Sequence, residues 1–302
     1  MQTRYLIIGN SAGGIGAAEA IRQVDKKGAL TIVSEEPYPA YSRPLISKYL
    51  AGERTFEGIL FRPPDFYDQN NIIFLPGKKV THLELDQRVA RVKDSEQIVW
   101  GKLLLAVGGK PIFPQMKRSD KRGVFTFINL DDAKAVNRFL DKARKVVVIG
   151  GGLIGISVTE ALVKRGLDVI VVEMKDRILN TILDQQASLM AEEVLKQAGV
   201  EIITGHTVVE ITGRETVEGV VLDNGEAMPC DLVAAAIGVS PRSELALDAK
   251  VKVNRGIVVD HHMATNHQNV YACGDVTEAY DFVYEENRLT PIWPNAYIGG
   301  RI

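Results

Sequence analysis

Val146-Val-Val-Ile-Gly150-Gly-Gly152-Leu-Ile-Gly155 is the stretch on which the fold turns. Four consecutive β-branched residues predict a buried strand, and the glycines at 150, 152 and 155 have the Gly-x-Gly-x-x-Gly spacing of a dinucleotide loop. The first glycine permits the tight turn, the second lets a pyrophosphate approach the backbone, and the third lets helix and strand pack closely. A second copy lies near the start of the chain, Tyr5-Leu-Ile-Ile-Gly9-Asn-Ser11-Ala-Gly-Gly14, with Ser11 at the middle position. Serine departs from the strict pattern but is small. In both copies a helix start offers free N–H groups and a positive dipole end to a pyrophosphate. Each is followed by a strand ending in glutamate: Glu35, 21 residues after Gly14, and Glu173, 18 residues after Gly155. A carboxylate there can take the hydroxyls of an adenosine ribose. Two such units on one chain predict two dinucleotides held at once, and so electron traffic between a nicotinamide and a flavin. The plain alternative for the first loop is a glycine turn that binds nothing.

Glu173 accepts a free 2′-OH and repels a 2′-phosphate, which favours NADH over NADPH. Lys175 and Arg177 lie close behind and soften that preference, unless they merely face solvent.

Length and composition agree with two globular domains. The chain has 302 residues, 46% hydrophobic and 25% charged, enough for two cores. A net charge of −2 gives no long-range attraction for nucleic acid or anionic lipid. No apolar run is long enough to span a membrane, and the first strand begins too early for a signal peptide, so the cytoplasm is the expected location. The two cysteines, Cys230 and Cys273, form no Cys-x-x-Cys pair. That excludes a dithiol redox centre and a four-cysteine iron–sulfur cluster built from this chain. His261 and His262 would point opposite ways on a strand, and no metal site is expected.

Along the chain, strands are predicted at 4–9, 30–34 and 72–75, with helices at 12–24 and 63–70. Period-two alternation through Val80, Leu83, Leu85, Val89, Val92, Ile98 and Trp100 predicts antiparallel strands over 79–100, followed by a separate buried strand at 103–107. The order then repeats: a helix at 130–142, strand 145–149, the Gly150 loop and its helix to Lys164, strand 169–172, a helix near 183–198, strand 201–204, a small meander to 229, and strand 232–237. The expected division is a first domain of 1–112 with 235–302 and a second of 113–234. A last helix begins near Pro294.

With these residues in hand, the chain resembles the FAD-dependent pyridine nucleotide (disulfide) oxidoreductases, in the rubredoxin/ferredoxin reductase, nitrite-reductase-like and apoptosis-inducing-factor-like branch. The resemblance spans the whole chain. It is carried by Ser34-Glu35-Glu36 with Tyr41-Ser-Arg43-Pro44-Leu-Ile-Ser47-Lys48, Leu105-Ala-Val-Gly108-Gly-Lys-Pro111, the second nucleotide loop, Ala236-Ile-Gly238-Val-Ser-Pro241, Gly256-Ile-Val-Val-Asp260, Tyr271-Ala-Cys-Gly274-Asp275 and Trp293-Pro-Asn-Ala296. It implies an α/β fold of two Rossmann-like, glutathione-reductase-type three-layer domains, each with a small antiparallel meander. The first would bind FAD and the second NAD(H). The family's usual C-terminal interface domain is absent from these residues.

The resemblance also implies site residues. Gly9, Ser11, Ala12, Gly13, Gly14, Glu35, Glu36, Arg43, Pro44, Lys48, Lys79, Val80, Ala106, Val107, Gly108, Gly274, Asp275, Trp293, Pro294, Asn295 and Ala296 would contact FAD. Gly150, Gly152, Leu153, Ile154, Gly155, Glu173, Met174, Ile237 and Gly238 would serve the nicotinamide dinucleotide. Asp275 would bond the ribityl–pyrophosphate stretch, and residues 293–296 would start a helix facing the flavin pyrimidine carbonyl. Lys48 would lie near flavin N5, although a lysine on a surface helix reads the same way. Many relatives pair this lysine with a Glu two residues after the last glycine of the second loop. Ser157 stands there, so Lys48 is expected to be unpaired or weakly served by Glu160. Lys48 and Glu160 are the candidate catalytic residues. Val107 replaces the usual threonine of the Ala-Thr-Gly turn, and no redox cysteine follows Glu35, which excludes thiolate–flavin chemistry. The implied activity is hydride transfer from NADH to FAD, then single-electron transfer to a rubredoxin, a ferredoxin or an iron–sulfur subunit, in a possible homodimer. The alternatives are a redox sensor built on an NADH–FAD charge-transfer complex and a truncated chain that binds FAD poorly.

Overall fold

The computed structural model describes residues 1–93, 97–113, 116–117 and 119–302. The chain folds as two compact units, Met1–Ser42 with Leu60–Lys110 and Ser240–Ile302, and Arg43–Ile59 with Pro111–Val239. Arg43–Ile59, expected with the first, thus groups with the second. Its short helix, Ile46–Leu50, packs on the helices Leu130–Phe139 and Leu153–Lys164. Backbone carbonyls fix it there: Arg165 donates to Leu50 O at 3.1 Å, and Arg43 to Ile128 O at 3.1 Å.

The first unit is built on a seven-stranded sheet. Ile72–Leu75, Leu30–Val33, Gln2–Ile8 and Gln97–Leu105 run parallel in that spatial order. Gln97–Leu105 is a single strand, not the two segments expected on either side of Gly101. The glycine does not break it but admits a close neighbour, since a Cβ at Gly101 would lie 2.7 Å from Arg4 O. Residues 97–99 of this strand pair antiparallel with Val89–Val92, which continues to Val80–Glu84. Residues 103–105 pair parallel with Val270–Ala272. The Val270–Ala272 strand therefore lies in this sheet. Leu6, Leu103, Leu105 and Val270 are buried together, and each such side chain contributes about 1.5–3 kcal/mol. A hairpin, Thr277–Asp281 with Glu286–Leu289, and the helix Glu244–Asp248 were not legible in the sequence.

The second unit has a five-stranded parallel sheet in the order Glu201–Thr204, Asp168–Glu173, Lys145–Ile149, Leu232–Ala235, Val124–Thr126. Val146, Val147, Val148 and Leu232 have no exposed surface, which explains an unbroken apolar run in place of alternation. The meander forms a separate sheet of Val208–Thr212, Gly219–Leu222 and Ala227–Pro229. No described helix is long and apolar enough to cross a membrane.

Candidate functional site

In the first unit the Gln2–Ile8 strand ends at Gly9, whose φ of +118° suits glycine. A Cβ at Gly9 would sit 2.1 Å from Ala106 O, and one at Gly14 would sit 2.0 Å from Gly9 O. The turn therefore closes only with glycine at both places. Ser11 caps the helix Ala12–Val24 but makes no side-chain capping bond, so its hydroxyl leaves the helix start open. Two further expected segments converge on this turn. A Cβ at Gly13 would meet Cys273 Sγ at 2.6 Å and Ala296 O at 3.3 Å, and one at Gly274 would meet Ala296 Cβ at 3.3 Å. The glycine loop, the Gly274-Asp275 turn and the start of the helix Trp293–Arg301 thus form one cluster of backbone, with little side-chain bulk between them. Ala106 lines it, while Gly108, with φ +70°, faces open space. Gly16 and Gly300 were not singled out from the sequence, yet they let the two helices touch. A Cβ at either would lie 2.4 Å from Tyr297 O or 2.1 Å from Gly13 O.

Glu35 is clasped by two cations, Lys79 at 3.0 Å and Arg242 at 2.8 Å. Burial alone would raise its carboxyl pKa, but the hydrogen bonds and charges of Lys79 and Arg242 outweigh burial and hold it below the usual range. Each oxygen keeps a lone pair for a ribose hydroxyl. Arg242 escaped sequence reading because it follows the Gly238-Val-Ser-Pro241 turn, more than 200 residues from its partner. Glu36 accepts a hydrogen bond from Tyr41. Val80 is a core side chain, so only its backbone remains for a ligand. Pro294 and Asn295 are exposed, and Trp293 stacks edge-on to Phe61 at 5.1 Å.

The second unit repeats the cradle without the serine. Gly150 has φ +106°. A Cβ there would lie 2.5 Å from Ala236 O, and one at Gly155 would lie 1.8 Å from Gly150 O. At Gly152 a Cβ would meet nothing within 4 Å, so the middle of the loop is open to an incoming group. Gly152 is also the N-cap of the helix Leu153–Lys164 and supplies no side chain to satisfy its first N–H groups. Leu153, Met174 and Ile237 are apolar yet exposed on the loop and the adjoining strand ends. These features fit a bound pyrophosphate and adenosine. Ile154 is partly exposed in the same turn.

Glu173, expected at a ribose, is held by backbone N–H groups. It is buried, and its carboxylate accepts from Gly151 N at 2.6 Å and Lys175 N at 2.8 Å. It therefore braces the glycine loop and its own turn, with lone pairs to spare for a hydroxyl. Arg177 pairs with Asp176 at 3.0 Å. Gly238, with φ +120°, stands beside Ile112, which donates its N–H to Gly238 O at 3.0 Å.

Lys48 is not unpaired. Its ammonium lies 2.9 Å from Glu160, one helical turn beyond Ser157, and 3.4 Å from Glu53. A shift of three helical residues is about 4.5 Å of rise, which the flexible lysine stem covers. Both thiols are buried, and burial first of all pushes Cys230 and Cys273 up to about 12. Neither is a ready thiolate.

Residues 3–298 match the pyridine nucleotide-disulphide oxidoreductase family. The chain is 32% identical over 300 residues to the NADH-dependent phenylglyoxylate dehydrogenase subunit epsilon of Aromatoleum evansii, covering 99% of this chain and 71% of that one. It is 32% identical over 281 residues to the rubredoxin-NAD(+) reductase of Pseudomonas putida, covering 92% and 73%. Among solved structures, the putidaredoxin reductase of a covalent putidaredoxin reductase–putidaredoxin complex superposes with a TM-score of 0.93 at 30% identity, covering 99% of this chain and 73% of that one. The two cradles, these matches and the shared fold agree on an NAD(P)H-dependent oxidoreductase that uses FAD and NAD(H), and the chain belongs to the pyridine nucleotide-disulphide oxidoreductase family.

Proposed function

We propose that this chain passes electrons from NADH through FAD to an iron–sulfur protein, either a small carrier of the rubredoxin or ferredoxin kind or a subunit of a larger enzyme. The observation that carries the reading is the pair of glycine cradles with open helix starts on a chain whose two thiols are both buried. Bound FAD supplies the passage from two-electron to one-electron chemistry.

The chain's own residues bind and orient. In the first unit the Gly9–Gly14 turn receives the FAD pyrophosphate, Glu35 the adenosine ribose, and Asp275 the ribityl–pyrophosphate stretch. The N–H groups at Trp293–Ala296 favour negative charge at the flavin carbonyl. Lys48, held by Glu160, takes part in flavin reduction by NADH. In the second unit Gly150–Gly155 receives the NADH pyrophosphate, and Glu173 disfavours a 2′-phosphate. No side chain need remove a proton for hydride transfer, which depends on close approach. A rubredoxin reductase, a putidaredoxin reductase in complex with putidaredoxin, and a subunit of an NADH-dependent dehydrogenase support electron transfer to a protein partner rather than the redox-sensing alternative.

The test is an anaerobic titration of the flavin-loaded protein. NADH bleaches the flavin absorbance, and an added one-electron iron–sulfur carrier restores it faster than a disulfide substrate does. Failure of NADH to reduce the flavin would eliminate the reading.

A further inference from the structure

Lys48 belongs to a closed ring of four alternating charges. It is 2.9 Å from Glu160 and 3.4 Å from Glu53, and Lys164 is 2.6 Å from Glu160 and 2.5 Å from Glu53. Three local features build the ring. The short helix Ile46–Leu50 carries Lys48 and ends at Gly52, whose φ of +77° turns the chain back. Glu53 N–H then donates to Lys48 O at 3.0 Å, a 6→1 bond of the Schellman kind, which returns the Glu53 carboxylate to the lysine. Glu160 and Lys164 sit four apart on the helix Leu153–Lys164, against which the short helix packs.

An isolated exposed ion pair contributes little, because two long side chains lose freedom to hold one geometry. A ring differs, since each charge has two partners and loss of one contact leaves the other. The ring's formal charge is zero, so neither acid is left over to draw Lys48 away. In keeping with this, hydrogen bonds from Lys164 and Lys48 hold the Glu53 and Glu160 carboxyls below their usual range.

We propose that Glu53 is a second positioning residue for Lys48, interchangeable with Glu160, and that Lys164 bridges the two carboxylates to keep both at the lysine. The proposal rests on the reading that Lys48 takes part in flavin reduction by NADH. It explains how the chain can carry Ser157: the acid moved one turn along the helix, and a second acid from the Gly52 turn shares its task.

The test is a double-mutant cycle on the flavin-loaded protein with two readouts. The first is acylation of Lys48 by acetic anhydride, mapped by mass spectrometry relative to exposed Lys27. Glu53→Gln and Glu160→Gln singly raise it about 1.5-fold or less, whereas the double variant raises it roughly tenfold or more, well beyond the product of the two single effects, which is the coupling expected of residues sharing one partner. Equal and independent effects of the two substitutions, or no effect of Glu53→Gln in the Glu160→Gln background, would overturn the proposal. The second readout is the rate of flavin reduction by NADH. It falls in the double variant and in Lys48→Met, and the acid substitutions change nothing further once Lys48 is methionine. If Lys48→Met leaves the rate unchanged, the flavin role of Lys48 fails while the acylation cycle still decides the ring. Should the acid pair act equally with and without Lys48, the positioning role is overturned.

Discussion

Glu173 ties one carboxylate to two backbone segments. It accepts from Gly151 N and Lys175 N in a buried position, so removing it leaves two backbone donors without their partner, at about 1–3 kcal/mol. Glu173→Ala is expected to weaken NADH binding and narrow the NADH-to-NADPH preference, seen as a smaller ratio of flavin reduction rates. An unchanged ratio would count against its role at the ribose. At Glu35, loss of Arg242 removes one of two clasping cations. Arg242→Ala should raise the Glu35 pKa toward the ordinary carboxylate value, read by NMR titration of the carboxyl carbon, and a flat result would show that Lys79 alone sets it. Glu35 and Glu173 were legible as residues at a spacing. Their partners were not: Arg242 and the Gly151 N–H meet them only after the chain has folded.

Elements meet in the first unit where the helices Ala12–Val24 and Trp293–Arg301 press together through glycines. Gly16→Ala would gain about 1 kcal/mol of helix propensity, yet its Cβ would lie 2.4 Å from Tyr297 O. Overpacking against a backbone atom costs roughly 1–3 kcal/mol, so the clash wins and the denaturation midpoint should fall. A rise would mean that the helices separate freely. The same pair is tied by Glu19, which accepts from Arg62 Nε at 2.5 Å and Tyr297 Oη at 2.6 Å. Burial would raise the Glu19 carboxyl, but these two groups with Arg301 hold it below the usual range. A carboxyl depressed in the folded state adds stability that is present above its unfolded pKa, about 4.3, and is lost as pH falls through the lower folded value. Glu19→Gln should therefore cost roughly 1–2 kcal/mol at neutral pH, and the difference from the native chain should shrink in acid. A difference independent of pH would assign the effect to packing. The strands beside these helices were legible from their periodicity, but a strand at 97–105 running unbroken through Gly101 was not. The close approach of Arg4 O that a glycine permits has no sequence signature.

For the whole molecule, the deciding feature is a nucleotide cradle in each unit and no accessible thiol. Thiol reagents should leave Cys230 and Cys273 unmodified in the native state and react with both after unfolding. Cys230→Ala and Cys273→Ala should each leave flavin reduction by NADH intact. Loss of that step on replacing Cys230 would revive a thiol mechanism that the burial argues against.

The amino-acid sequence alone set the two cradles, because glycine at a fixed spacing after a β-branched run is a local steric requirement that reads directly from residue types. It also set the lack of a Cys-x-x-Cys motif, since Cys230 and Cys273 are the two cysteines of the chain. Tertiary structure decided the rest: the ring around Lys48, the clasp on Glu35 and the placement of Arg43–Ile59 with the second unit. Each depends on charges or backbone brought together from distant segments, and such contacts are fixed by packing that no short window of sequence contains.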